Sequence, residues 1–376
     1  MTRIALTQQG DPSDPSSWSG VPARLTRGFE EAGCEVVPVS AEPRGADRIA
    51  SAVGMSWADQ AASRAFAAVF GATARRGLRR AGELDGIVTL DSSFLLRGDV
   101  PFVTFDDMTV AQAVCQGEPP YGELSPAAAE RWRGRQRRIF ERSRAACVAS
   151  SWAAESVRED YGIPASKVHV VGVGRNIEVP WTERDWAVPR FLFVGVDWER
   201  KRGAAVVDAF AAVRERHPEA TLDLVGRHPA VDAPGIHGHG VLPLGSAEGQ
   251  RSYGALLRRA TCFLMPSTHE PFGIAYADAG AAGLPSIGTT VGGARDAVGE
   301  GGRVVDPADP GALREAMLEL SDPETARRLG DRAAEHAALL TWRAVAERLL
   351  RALRPAGVEV DRLAGFLDPP GQGGSA

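Results

Sequence analysis

Short apolar segments alternate along this chain with longer segments that have the polar–apolar period of helices. In the first half, six short runs rich in β-branched residues predict strands at 4–6, 35–39, 86–90, 102–105, 146–149 and 168–171. The segments between them predict helices at 21–32, 56–80, 125–145 and 151–160. Such alternation of strand and helix is typical of an α/β fold with a parallel sheet.

Residues 179–189 carry two prolines and two tryptophans and interrupt this rhythm, which we interpret as an interdomain linker. The rhythm then resumes, with strands predicted at 190–194, 220–225, 262–265, 286–287 and 302–305. Helices are predicted at 203–216, 249–260, 273–282, 310–320 and 323–337. The pattern therefore predicts two doubly wound domains, at 1–180 and 181–340, facing a central cleft. A helix at 341–354 would pack back toward the first domain, and 355–376 would be a mostly disordered tail.

The composition is that of an ordinary soluble protein, and 376 residues suffice for two domains. The net charge of −5 argues against a general nucleic-acid binder. No apolar run approaches the roughly 18 residues of a membrane span. The four cysteines are isolated and read as buried thiols, so we expect a cytoplasmic protein. The closest histidines, His237 and His239, lie in a predicted Gly-rich loop without a third ligand, so no metal site is predicted.

Two carboxylates, Glu270 and Asp278, bracket a Pro-Phe-Gly turn that follows a predicted strand and opens into a helix. The amide groups around Gly273 and Ile274 would lie at the helix N-terminus, where backbone N–H groups bind phosphates and similar anions. A turn flanked by two solvated acids is the alternative reading of this spacing taken alone.

The whole block from 265 to 287 is similar to the acid-x7-acid block of family 4 retaining glycosyltransferases, which have the GT-B fold of two Rossmann-like domains. The likeness extends over most of the chain and is strongest from 191 to 353. It implies that Glu270 contacts hydroxyls of the donor sugar and Asp278 the nucleotide ribose. Asp278 stands where the family has glutamate, which implies a looser or water-bridged ribose contact. The resemblance places four further residues against the donor: Pro271, Phe272, Gly273 and Ile274.

A second block, 193–203, resembles the family's diphosphate-binding loop, with Gly195 ending a strand and Arg200 and Lys201 in the loop. Negative charge builds on the diphosphate when the sugar–phosphate bond breaks, and fixed cations can stabilise it in place of a metal. Many relatives have arginine directly after the glycine, where this chain has Val196, so Arg200 would be the second cation. A solvated turn is the alternative.

The N-terminal half contributes two weaker candidates. Gly20 follows the first strand and resembles the family's N-terminal glycine loop, which approaches a phosphate or sugar; it could also be a simple helix entry. Asp106 and Asp107 follow an apolar strand, and in similar enzymes an acid here positions the acceptor or supports the reaction. The alternative is that one of them caps the next helix.

Four arginines, Arg131, Arg135, Arg138 and Arg142, share one face of the predicted helix 125–145. Some related enzymes use basic helices of this domain against anionic membranes, so weak peripheral membrane contact is one reading. A solvated arginine face is the other.

These observations together predict a cytoplasmic enzyme that transfers a sugar from a nucleotide-diphosphate donor to an unidentified acceptor, with retention and without a metal or other cofactor. Two alternatives stay open. One is another enzyme on the same fold, a nucleotide-sugar epimerase or a pseudo-glycosyltransferase that forms a C–N bond. The other is a nucleotide-binding protein without turnover.

Overall fold

The structure is a computed structural model, and it describes residues 1–14, 17–43, 62–119, 121–177, 179 and 183–354. The chain divides into two compact units. The first comprises Met1–Gly172 and the chain from Arg343 onward, and the second comprises Val173–Trp342. The boundaries between the two units lie after residues 172 and 342, close to the domain boundaries predicted after 180 and 340. The predicted tail, 355–376, lies outside the described residues, as does the start of the helix predicted at 56–80.

The described part of the first unit is built on a parallel six-stranded sheet. Its strands are β1 (Arg3–Gln8), β2 (Glu35–Ser40), β3 (Gly86–Leu90), β4 (Phe102–Asp106), β5 (Ala145–Val148) and β6 (Val168–Val170), in the spatial order β2-β1-β3-β4-β5-β6. Every residue of β3, β4 and β5 is buried, which explains why these strands read as continuous apolar runs. The strand order changes direction between β1 and β3, which is where open α/β sheets bind ligands.

The first five helices of the first unit are α1 (Val21–Glu31), α2 (Arg64–Ala81), α3 (Val110–Cys115), α4 (Pro126–Arg142) and α5 (Ser151–Glu159). Of these, α1 begins at Gly20 and the other four begin at a serine or threonine cap. The side-chain oxygens of Ser125 and Ser150 accept hydrogen bonds from the amides of Ala128 and Ala153, respectively, and so cap α4 and α5. The sequence pattern misses α3, because a helix of six residues is too short to show a helical period.

The second unit repeats this architecture. Its strands are β7 (Arg190–Gly195), β8 (Thr221–Gly226), β9 (Ile236–Gly240), β10 (Cys262–Leu264), β11 (Ser286–Thr289) and β12 (Gly302–Val305), in the order β12-β11-β10-β7-β8-β9. The sequence interpretation of His237 and His239 as loop residues is wrong, since both lie in β9. This edge strand is held by backbone pairing with β8 and is largely exposed, so it has no apolar signature.

Six helices flank the second sheet: α6 (Gly203–Arg216), α7 (Ala247–Arg259), α8 (Ile274–Ala281), α9 (Ala294–Val298), α10 (Pro310–Glu319) and α11 (Pro323–Ala337). A final helix, α12 (Trp342–Leu353), follows. Near its end Leu353 packs on β3: a Cβ added to Gly86 would lie 2.9 Å from a methyl carbon of Leu353. No helix among the described residues is both long and apolar enough to cross a membrane.

Two sequence interpretations need correction. The described part of the predicted linker is packed on the second unit, because the Arg184 guanidinium donates to four backbone carbonyls, those of Leu257, Arg258, Ala282 and Gly283. It also lies 5.0 Å from the ring of Trp186. Among the thiols predicted to be buried, Cys115 is exposed, whereas Cys34, Cys147 and Cys262 are buried.

Candidate active site

The candidate donor residues of the second unit lie at the carboxyl ends of two neighbouring strands. Gly195 ends β7, and the loop that follows carries Arg200 and Lys201. Glu270 lies in the loop after β10, the strand beside β7. The strand order of the sheet changes direction between β7 and β10, so these loops flank its topological switch point.

Lys201 and Glu270 form an ion pair, with the lysine Nζ donating to a carboxylate oxygen of the glutamate. The residues are only 8% and 7% exposed. Ser267 Oγ donates to the same glutamate oxygen at 3.1 Å, and Nζ lies 3.2 Å from the sulfur of Met265. The two residues that the sequence assigns to different parts of the donor are therefore direct partners.

Gly195 leaves room for the lysine. A Cβ at this position would lie 2.8 Å from Lys201 Cγ, closer than real Cβ contacts. The absence of a side chain at 195 therefore lets the lysine stem pass the end of β7 and reach Glu270. Val196, by contrast, is 58% exposed.

Arg200 joins the two loops a second time. Its guanidinium NH1 lies 3.0 Å from the carbonyl oxygen of His269 and 3.6 Å from the carboxylate of Glu270. Its own carbonyl oxygen accepts the amide of Thr268 at 2.7 Å. The side chain is 23% exposed, so Arg200 is the more accessible of the two cations.

The turn after Glu270 opens α8 as the sequence predicts. Gly273 is the N-cap, with a φ of 89°, and no side chain caps the helix. Gly273 has no side chain to accept the first amide groups of α8, beginning at Ile274, and amides at a helix N-terminus can bind an anion. Phe272 is buried and Pro271 half-buried, so this part of the turn packs against the unit.

The Gly292–Gly293 loop is held against Glu270 by the backbone. The amide of Glu270 donates to the Val291 carbonyl at 3.0 Å, and the Gly293 amide donates to the Glu270 carbonyl at 2.9 Å. Gly292 has a φ of 105°, a conformation that favours glycine. Both backbone polar groups of Glu270, the residue that carries the candidate carboxylate, are therefore hydrogen-bonded to this loop.

Asp278 is already engaged within the second unit. It is buried on α8, and its Oδ1 accepts the amides of Asn176 and Ile177 at 2.6 and 3.0 Å. Trp342 Nε1 donates to the Asn176 side chain at 3.3 Å. Sequence reasoning missed this contact, because nothing in the local pattern joins α8 to residues 176–177. The ribose contact of Asp278 stays a prediction.

In the first unit, a cavity of about 230 Å³ lies at the switch point between β1 and β3. Its polar and aromatic lining includes Gln8, Gln9, Ser17, Trp18, Asp91, Ser92, Ser93, Asp106, Asp107, Tyr121, Trp132 and Gln136. The structure therefore brings Asp106 and Asp107 to one cavity. Sequence reasoning missed Asp91, although the same signal, an acid directly after an apolar strand, was present.

The carboxyl groups of this cavity differ in environment. Burial raises the pKa of Asp106 to about 8, with Asp91 and Asp107 adding to the effect and a Ser92 hydrogen bond of 2.9 Å opposing it. Burial likewise raises the pKa of Asp91 to about 6. Asp107 is only partly buried and accepts Trp18 Nε1 at 3.3 Å. Neither Asp106 nor Asp107 caps the next helix, because Thr109 is the N-cap of α3, so the capping alternative is wrong.

Gly20 is the N-cap of α1, with a φ of 83°, and Pro22 lies in the first turn. Trp18 and Ser19 before it also have positive φ, of 43° and 55°. The structure therefore shows a helix entry here, and the ligand contact of Gly20 stays a prediction.

The arginine face of α4 is not uniform. Arg131, Arg138 and Arg142 are exposed, but Arg135 is buried at 4% exposure. Its guanidinium lies 5.6 Å from the centre of the Trp132 ring and donates to the Ser63 carbonyl at 3.4 Å. The interpretation of all four as one solvated face is therefore wrong for Arg135.

Comparisons with known proteins find related sequences and related folds. Residues 188–322 match the sequence model of the family described as glycosyl transferases group 1. The D-inositol 3-phosphate glycosyltransferase of Corynebacterium glutamicum (strain R) is 30% identical over 204 residues, 50% of this chain and 49% of that protein. The chain spans about half the length of the curated relatives it matches first.

Two of the solved structures that match do so over nearly the whole chain. Sucrose-phosphate synthase from Thermosynechococcus elongatus has a TM-score of 0.64 at 18% identity, covering 93% of this chain and 98% of that one. WaaG, a glycosyltransferase involved in lipopolysaccharide biosynthesis, has a TM-score of 0.60 at 15% identity, with the same coverage. These likenesses show the fold.

The chain has the GT-B fold, and its residues 188–322 match the glycosyl transferases group 1 family. Its group 1 region, 188–322, contains Arg200, Lys201, Glu270 and Asp278. Among the described residues, no three histidines, cysteines or acids are placed to hold a metal ion.

Changing Asp106 to asparagine should alter how stability depends on pH. The folded-state pKa is raised from 3.8 to about 8, so between these values the folded protein keeps a proton that the unfolded chain releases. The free energy of unfolding should therefore fall as pH rises from about 4 to 8, at no more than about 1.4 kcal/mol per pH unit. Asp106→Asn should flatten this decline in urea titrations across that range. The exposed Asp99→Asn is the control, and equal slopes in wild type and Asp106→Asn would contradict the assignment.

Changes at Asp278 should separate its structural contact from ribose binding. Asp278→Ala leaves two backbone N–H groups without their acceptor and should cost about 1–3 kcal/mol of unfolding free energy. Asp278→Asn keeps an acceptor oxygen and should cost less. If the carboxylate also binds ribose, calorimetry should show weaker nucleoside diphosphate binding for Asp278→Asn. If Asp278→Asn binds nucleoside diphosphate as tightly as the wild type does, the role of Asp278 is limited to its structural contact with Asn176 and Ile177.

Proposed function

We propose that this protein transfers a sugar from a nucleotide-diphosphate donor to a hydroxyl-bearing acceptor, with retention of anomeric configuration and without a metal ion. The observation that carries the proposal is the buried Lys201–Glu270 pair, with Arg200 beside it, at the switch point of the second sheet. All three residues lie in the region that matches group 1 glycosyl transferases.

The cations would bind the donor diphosphate. Glu270 compensates Lys201 in the structure, so the lysine is held in place at a buried site before any ligand binds. Arg200 is partly exposed and can donate two parallel hydrogen bonds to phosphate oxygens. The N-terminal amides of α8 add partial positive charge nearby in the chain. Together these groups would stabilise the negative charge that develops on the leaving diphosphate.

Glu270 would bind the sugar itself. A carboxylate accepts hydrogen bonds from sugar hydroxyls, and this one is fixed by Ser267, by Lys201 and by backbone bonds on both sides. A group so restrained costs little reorganisation when substrate binds. Pro271 to Ile274 would pack on the donor and donate backbone hydrogen bonds.

The chemical step needs no protein nucleophile. The acceptor oxygen forms a bond to the anomeric carbon on the face from which the diphosphate leaves, as the carbon–oxygen bond to the phosphate breaks. The acceptor proton passes to an oxygen of the departing phosphate, so atoms and charges balance. The acceptor would be bound by the cavity of the first unit, where Asp107 is the more accessible of the two sequence candidates.

Replacing Lys201 or Glu270 should abolish most transfer. Lys201→Ala and Glu270→Gln should each lower kcat by about 100-fold or more, because each removes a group that acts on the donor. Release of nucleotide diphosphate from a panel of nucleotide sugars is the measurement. The chain has one other lysine, and Lys167→Ala is therefore the matched control, with activity near that of wild type.

Loss of folding must be separated from loss of function in this test. Lys201→Ala leaves a buried carboxylate without its cation, whereas the double variant Lys201→Ala/Glu270→Gln removes both charges. The double variant should regain stability in thermal unfolding and remain inactive. Near-wild-type activity in a folded single variant would overturn the proposal. Nuclear magnetic resonance of the products distinguishes transfer from epimerisation or C–N bond formation, and nucleotide binding without turnover would indicate a non-catalytic protein.

The acceptor should be uncharged or cationic. Three carboxyl groups, those of Asp91, Asp106 and Asp107, line the candidate acceptor cavity. Burial keeps Asp106 mostly protonated near pH 7, so a phosphate there would face the like charge of Asp91 and Asp107. The relative from Corynebacterium is named for D-inositol 3-phosphate, so this is a difference in preference that can be measured. We expect inositol or an amino sugar to support faster transfer than inositol 3-phosphate when initial rates are compared. Preference for the phosphorylated acceptor would contradict this assignment.

A further inference from the structure

A second charged cavity lies on the first unit, between α2 and α4. Its volume is about 730 Å³. Its charged lining consists of one acid, Glu130, and six arginines: Arg64, Arg75, Arg97, Arg131, Arg135 and Arg138. We call this cavity the arginine groove. It shares no lining residue with the candidate acceptor cavity, which is lined by Asp91, Asp106 and Asp107 and which we call the acidic cavity.

The positive charge of the arginine groove is poorly compensated. Its one acid, Glu130, forms an exposed ion pair with Arg133, which does not line the groove, at 3.5 Å. Five of the six groove arginines, all except Arg135, form no ion pair in the described ranges. Among the residues that the structure describes, no acid therefore neutralises these five arginines in an ion pair, and solvent screens their mutual repulsion.

Arg135 is the deepest charge in the groove. Burial and the neighbouring Arg138 lower its pKa to about 10, while Asp91 acts in the opposite direction. A guanidinium in this position is less well solvated than the exposed ones, so it interacts more strongly with a charge brought near to it.

The charge continues beyond the groove. Arg75 and Arg97 also line an adjoining cavity of about 460 Å³. Three further arginines line that cavity, Arg79, Arg142 and Arg144, and Asp99 is its acid. The two cavities together form a basic tract along α2 and the end of α4.

We propose that the arginine groove binds a compact, soluble ligand that carries several phosphate groups. Guanidinium groups donate paired hydrogen bonds to phosphate oxygens, and several converging arginines match several phosphates. The charges line a concave space with a buried arginine, which suits a compact ligand better than a flat bilayer. This site lies on the first unit and is separate from the proposed donor residues, so it stands apart from the proposed function.

Gly134 offers a sharp test. It lines the groove from α4, and a Cβ added there would meet no atom within 4 Å. Gly134→Glu therefore adds a carboxylate at a groove position where the added Cβ meets no atom. Gly134→Ala makes the same backbone change without the charge and should favour the helix. Arg76→Glu is a charge control, because Arg76 is exposed on α2 and does not line the groove.

The experiment is calorimetric titration of the full chain with inorganic tripolyphosphate. Because Lys201 and Arg200 would also attract this probe, the titrations are made in a Lys201→Ala background as well as in the wild type. We expect binding in both backgrounds. Gly134→Glu should weaken it by about tenfold or more, since a unit charge a few ångströms away opposes each phosphate. Gly134→Ala and Arg76→Glu should bind as their parent does.

Three results would overturn the proposal. The first is no binding in the Lys201→Ala background, and the second is equal affinity of Gly134→Glu and its parent. The third concerns the membrane contact predicted for Arg131, Arg135, Arg138 and Arg142. Binding to phosphatidylcholine vesicles that contain phosphatidylglycerol, without binding of tripolyphosphate, would assign this surface to lipid instead. If the first result is obtained and vesicles do not bind either, the groove is a solvated arginine surface.

Discussion

The second unit depends on the burial of one ion pair. Lys201 and Glu270 come from loops after neighbouring strands, and neither charge would be stable at this depth without the other. Their contact fixes the distance between the loops, and the Arg200 contacts to His269 and Thr268 reinforce it. The cation and the carboxylate that a sugar–diphosphate donor requires are therefore positioned by the fold itself, before a ligand supplies any binding energy.

The first unit handles buried charge in the opposite way. Among the described residues, neither Asp91 nor Asp106 forms an ion pair at this switch point, and burial shifts their pKa values upward although Arg135 opposes the shift of Asp91. A neutral carboxyl can donate as well as accept a hydrogen bond, which suits recognition of hydroxyl groups. The arginines of this unit line a different cavity. Trp132 and Gln136 of α4 line the acidic cavity, whereas Arg135 of the same helix lines the arginine groove.

Much of the fold could be predicted because parallel strands are buried on both faces and read as apolar runs, as β3 and β7 do. The exposed strand β9 and the short helices α3 and α9 carry no such signal and were missed. The periodicity of α4 placed four arginines on one face correctly, yet it could not show that neighbouring structure buries Arg135. Helical period gives direction around an axis, whereas burial depends on what packs there.

The candidate site shows the same division. The strand–acid–turn–helix order located Glu270, and leaving-group chemistry selected Lys201, but neither indicated that the two residues are partners. Asp278 is the clearest case. Its carboxylate reaches the amides of Asn176 and Ile177, at the start of the second unit, and so ties α8 to that segment. A glutamate at 278 would extend its oxygens one methylene further from the helix and could not receive both amides in the same geometry. The aspartate is therefore a structural feature of this chain as well as a departure from the family pattern.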